Sequence, residues 1–138
     1  MRLMNVVLAS ALGLALHAEA SQESTCSPQD AKAAEIEASA LKDWDSVYRS
    51  FKRFRHCDDG AVSEGYSDSI GQLLAQHWKY VTRLNSLVSA NKRFERFVIK
   101  HIDDTVPAET LQKIAQNAHS NCPKNSERLC KLIEGAAR

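Results

Sequence analysis

From residue 30 to residue 136 the apolar side chains recur at every third or fourth position, and no stretch of strict alternation competes with that rhythm. Such spacing gathers them on one face of an α-helix. With only three prolines to interrupt it, the chain is predicted to be all-α, an irregular bundle of about five or six helices with short connections.

The segments can be followed one by one. Residues 30–41 are rich in Ala and Glu, with Pro28 and Asp30 as start signals. Asp43 opens a second segment to about residue 56, with Trp44, Val47, Tyr48 and Phe51 on its apolar side and Arg49, Lys52, Arg53 and His56 on the other. Asp58 and Asp59 are expected to cap a third helix over about 60–80 and to favour its positive end. Val62, Tyr66, Ile70, Leu73, Leu74, His77, Trp78 and Val81 trace its buried stripe. A short helix through Leu84, Leu87 and Val88 either follows it or continues it. Asn91 can cap the next, with Phe94, Phe97, Val98 and Ile102 inward. Pro107 suits the first turn of another, and a last helix covers about 126–136.

The first 20 residues stand apart. Met1-Arg2, an apolar run from Leu3 to Leu16, and Ala18-Glu19-Ala20 have the layout of a secretory signal peptide cut after Ala20. The run is too short and too cleanly ended for a membrane span, and no stop-transfer stretch follows. Residues 21–138 then form a single helical domain, expected in the periplasm, with no membrane span after cleavage. Export removes one charge of each sign, Arg2 and Glu19, so the net charge stays at +1. That balance argues against nucleic acid or an anionic membrane as partner, since both call for a basic excess.

Four cysteines remain: Cys26, Cys57, Cys122 and Cys130. An even number in an exported chain favours disulfides. Of the three pairings, the turn expected at Pro123 and Asn125 favours Cys122–Cys130, which leaves Cys26–Cys57. The competing reading is zinc, but no C-x-x-C or H-x-H occurs, and only His119 and Cys122 share a tight ligand-like spacing. Neither a metal nor a cofactor is expected.

No catalytic motif stands out. His56 and Cys57 are adjacent, and neighbours on a helix do not face each other. No serine sits in G-x-S-x-G, and no glycine-rich phosphate loop or haem-attachment C-x-x-C-H occurs. Glu64 and Asp68 lie four apart on one helix face and are the best carboxylate pair for acid–base work. A solvated acidic patch explains them better. His56, His77, His101 and His119 are 21, 24 and 18 residues apart, so no helix offers two of them to a metal. His77 reads as a core histidine and His101 as one at a polar border. The aromatic stripes Trp44–Tyr48–Phe51 and Phe94–Phe97 read as core or as a partner groove. The polar junction from residue 55 to 68 changes sign abruptly, which suits a specific protein contact and equally a solvated helix junction. Arg55, Asp58, Asp59, Glu64, Tyr66 and Asp68 are the expected partner-binding residues.

Cys57-Asp58-Asp59-Gly60-Ala61-Val62-Ser63-Glu64-Gly65-Tyr66-Ser67-Asp68-Ser69-Ile70, with Trp78 downstream, resembles a block found in small exported helical proteins of Gram-negative bacteria. Phe97-Val98-Ile99-Lys100-His101-Ile102-Asp103 and the closing Cys122-Pro123…Leu129-Cys130 extend the likeness over about residues 42–134. These proteins are similar to the periplasmic immunity proteins that neutralise cell-wall amidase effectors of the type VI secretion system. The resemblance implies a small non-enzymatic protein, often dimeric, so that a homodimer is also allowed. It implies inhibition by placing a surface element in the cleft of a secreted amidase effector. The alternative is a small cell-envelope enzyme or peptidoglycan-binding accessory using Glu64 and Asp68.

Overall fold

A capping side chain marks the start of four of the helices in the computed structural model, which describes residues 25–138. The export segment expected at residues 1–20, and its cut after Ala20, lie outside the described residues. Helix α1 (Pro28–Ala38) is capped by Ser27, whose hydroxyl accepts from the Asp30 N–H at 3.1 Å. Helix α2 (Trp44–Phe54) begins with a capping box: Asp43 accepts from the Ser46 N–H, and Ser46 accepts from the Asp43 N–H. It tightens into a 3-10 turn at Arg55–Cys57. Helix α3 (Gly60–Gln76) is capped by Asp59 alone. After a second 3-10 turn at Trp78–Tyr80 come α4 (Val81–Ala90) and α5 (Lys92–Lys100). Asn91 between them accepts from the N–H groups of Arg93 and Phe94. Helices α6 (Ala108–Ser120) and α7 (Glu127–Ala136) complete the chain.

The described residues thus form seven α-helices and no strand, against the five or six expected. The difference arises at His77, where α3 stops instead of running on to residue 80. The Trp78 indole N–H reaches the Asn121 carbonyl at 2.8 Å and pins the chain in the 3-10 turn, so 81–90 is a helix of its own. Asn117 adds a second distant tie. Its amide donates to the carbonyls of Leu74 and Ala75, satisfying the last turn of α3 from α6.

Both disulfides are present: Cys26–Cys57 fastens the start of α1 to the end of α2, and Cys122–Cys130 closes the α6–α7 hairpin. No helix among the described residues is long and apolar enough to cross a membrane.

Helix α3 is central. Small residues let α1 approach it closely: a Cβ on Gly65 would lie 3.0 Å from that of Ala38. Ser69 donates to the Ala38 carbonyl at 2.6 Å and accepts from the Leu41 N–H. The inner face of α3 presents Tyr66, fully buried, to Phe97 of α5. The two aromatic stripes meet there rather than forming a groove, with Phe51 5.2 Å from Phe94 and 5.0 Å from Phe97 between ring centroids. Burial of each such side chain stabilises by roughly 1.5–3 kcal/mol. Helices α2 and α5 run side by side in the same direction: Tyr48 meets Asn91 and Phe94 near their starts, and Asp58 meets Lys100 near their ends.

Candidate functional site

The polar junction from residue 55 to 68 does not form one patch. Arg55 is exposed over the Phe51 ring on the α2 side. Asp59 is exposed as the α3 cap. Tyr66 cannot serve as a contact residue, because it is fully buried and its hydroxyl hydrogen-bonds Ser50 at 2.8 Å. Burial pushes its phenol up to about 12.

Asp58 is also turned away from the surface role expected of it. Its side chain is only 8% exposed, and Oδ2 accepts from Lys100 Nζ at 3.0 Å and faces His101 Nε2 at 3.2 Å. Burial raises the Asp58 carboxyl, but hydrogen bonds from His101 and Lys100, with their charges, outweigh it and hold the group below its ordinary range. His101, expected at a polar border, is fully buried, whereas His77, expected in the core, is exposed. The two exchange places because His77 falls on the turn that ends α3, while α3 and the 57–60 turn close over His101.

Beyond His101 the network continues. Ser67 Oγ lies 3.1 Å from His101 Nδ1 and donates to Asp103 Oδ2 at 3.1 Å. Asp103 in turn accepts from the N–H and hydroxyl of Thr105. Burial raises the Asp103 carboxyl, and the hydrogen bonds from Thr105 and Ser67 more than reverse that. A serine, a histidine and an aspartate in line resemble a hydrolase triad, yet Ser67 is 1% exposed and its single proton is committed to Asp103. A nucleophile must reach substrate, so this knot is a strut joining α3, α5 and the turns at 57–60 and 103–105. Sequence reading missed it because the bonds from Ser67 and Asp58 to residues 100–103 span 34 to 43 residues.

Glu64 and Asp68 have a different setting. With Ala61, Gln72 and Gln76 they form the exposed stripe of α3, on the side of the helix away from Tyr66. Among the described residues neither carboxylate is hydrogen-bonded or paired with a cation. They stand between two depressions. Towards α6 lies a cleft of about 420 Å³ lined by Glu64, Asp68, Gln72, Gln76, Thr105 and Thr110, with Val106 and Pro107 as its apolar wall. Towards α1 lies a groove of about 600 Å³ that adds Lys32, Glu35 and Ile36. Ile36 is 68% exposed. The i, i+4 spacing of 64, 68, 72 and 76 made this stripe legible as the complement of the buried one, but the walls from α1 and α6 were not.

The cleft offers carboxylates, amides and hydroxyls and no nucleophile–base pair. It can hold a cationic or hydrogen-bond-donating group, and its volume is in the range of ligand sites. Among the described residues no three His, Cys, Asp or Glu side chains converge as metal ligands. No protein family, curated protein or solved structure was found to match the chain.

Proposed function

We propose that the protein is a periplasmic immunity protein that binds and occludes a secreted peptidoglycan amidase of the type VI secretion system. The observation that carries the reading is the pair Glu64 and Asp68: two carboxylates with no partner among the described residues, on the exposed stripe of the central helix, with a groove on either side. Helix α3 is held by α1 and α6, and both disulfides brace the helices around it. A contact surface fixed in this way loses little conformational entropy on binding. Ile36 beside the stripe supplies an apolar anchor, and the carboxylates supply charge register. The block at residues 57–70, with its likeness to small exported helical proteins, agrees with this role.

Co-expression in the periplasm with a peptidoglycan amidase effector of the type VI secretion system is the test. Cells carrying the protein should survive the amidase, and Glu64→Ala with Asp68→Ala should lose protection while keeping the helical circular dichroism. Lysis despite abundant folded wild-type protein removes the reading.

A second reading is favoured by the cleft itself. Its amide and hydroxyl lining suits a polar wall fragment, as a peptidoglycan-binding accessory or small envelope enzyme using Glu64 and Asp68 would require. Binding or turnover of purified peptidoglycan, lost in the same double variant, would support it; no retention and no turnover would dispose of it.

A further inference from the structure

The near-neutral net charge hides a segregation of charge. Lys52 on α2, Arg55 in the 3-10 turn that follows it, and Arg93 and Arg96 on α5 are all exposed, and among the described residues none of the four meets a carboxylate at ion-pair distance. The two helices run parallel with their aromatic sides together, so these cations flank one shared seam. Lys52 lies over the Tyr48 ring at 4.7 Å and Arg55 over Phe51 at 5.7 Å, while Arg93 and Arg96 are exposed on the helix whose Phe94 and Phe97 pack against Phe51. Lys100 continues the row but is tied to Asp58. The seam lies opposite the Glu64–Asp68 stripe, since α5 packs on the Tyr66 side of α3.

We propose that this α2–α5 seam is a docking surface for an acidic protein surface, one bearing a cluster of carboxylates. The inference does not depend on the proposed function, which rests on the opposite face. Two of the four groups, the Lys52 ammonium and the Arg55 guanidinium, are held over rings, so their donors are partly oriented before any partner arrives. Arginine forks match carboxylates in bidentate fashion and are enriched at the centres of protein interfaces. A lipid surface is the weaker fit. Membrane binding by a basic face also needs apolar side chains to insert, and Phe51, Phe94 and Phe97 are buried. Among the described residues the large exposed hydrophobics are Ile36, Tyr80 and Leu132, and none lies on α2 or α5. A small phosphorylated ligand would want a concave site, and neither the cleft towards α6 nor the groove towards α1 is lined by these cations.

The test uses the full disulfide-bonded chain and two probes, poly-L-glutamate and vesicles of phosphatidylglycerol with phosphatidylcholine, at low and at physiological salt. One variant carries Lys52→Gln, Arg55→Gln, Arg93→Gln and Arg96→Gln; a control removes equal charge elsewhere with Lys42→Gln, Lys113→Gln, Lys124→Gln and Lys131→Gln. The expected result is poly-L-glutamate binding that weakens with salt, falls about tenfold or more in the seam variant, and changes less than about twofold in the control. Equal losses in the two variants would mean that only net charge matters and would overturn the proposal. So would absence of poly-L-glutamate binding at low salt, or vesicle binding as strong as that to the polypeptide. Circular dichroism on both variants ensures that the comparison is made between folded proteins.

Discussion

His101 and Asp58, 43 residues apart in the chain, meet at 3.2 Å between Nε2 and Oδ2, with the imidazole fully buried. This contact joins the end of α5 to the turn that starts α3. Asp58→Ala would leave a buried imidazole and the Lys100 ammonium without their shared acceptor. The expected loss is about 2–3 kcal/mol of unfolding free energy, read from urea denaturation.

The same carboxylate sets an acid limb. Asp58 is held below its unfolded value of 3.8, so its contribution is complete above that value and lost as pH falls through the lower folded one. Asp103 acts in the same direction. The wild-type midpoint in urea should therefore drop as pH is taken below about 4, and Asp58→Asn should flatten that drop. An unchanged slope in the variant would mean that other carboxyls control acid unfolding.

Tyr66 sets the opposite limb. Its phenol is raised from 10.0 to about 12, so the folded state favours the neutral form. That contribution is whole below pH 10 and lost as pH rises towards 12. Tyr66→Phe should cost roughly 1 kcal/mol at neutral pH by leaving Ser50 without its partner. It should also remove one tyrosine of high apparent pKa from an ultraviolet titration.

Gly65 is a spacing residue. An added Cβ would lie 3.0 Å from the Ala38 Cβ and 3.1 Å from the Ser39 backbone nitrogen, and backbone cannot step aside cheaply. Gly65→Ala should cost about 1–3 kcal/mol, despite alanine's better helix propensity, through overpacking. A stabilised variant would show that α1 yields freely.

The Cys26–Cys57 bridge closes a long loop, with a sequence separation of 31. Cys26→Ser with Cys57→Ser should lower stability by about 2–4 kcal/mol, measured by thermal unfolding against the wild type.

Much of the fold was legible because its signals are local. The acceptors at Asp43, Asp59 and Asn91 mark helix starts within three residues of the groups they satisfy. The turn after Cys122 is written in Pro123 and Asn125, and Asn125 does adopt a positive φ of 68°. What sequence reading mistook are positions whose fate depends on distant partners. His77 and His101 each border an apolar stripe, and only the docking of Ser67 and Asp58 decides which is enclosed. Likewise Asp58 looks like a second cap until Lys100 is in place. At the candidate site the stripe of Glu64 and Asp68 follows from helical spacing, but the cleft beside it requires Thr105 and Thr110 from another part of the chain.

The tie from Asn117 to the carbonyls of Leu74 and Ala75 has a consequence for timing. A polypeptide that emerges N-terminus first exposes the whole of α3 well before α6 exists, and during that interval the last turn of α3 has no acceptor-satisfying partner of its own. Fragments ending at α5 should therefore be degraded readily, and resistance to protease should arrive late and abruptly, once the final third of the chain has been released.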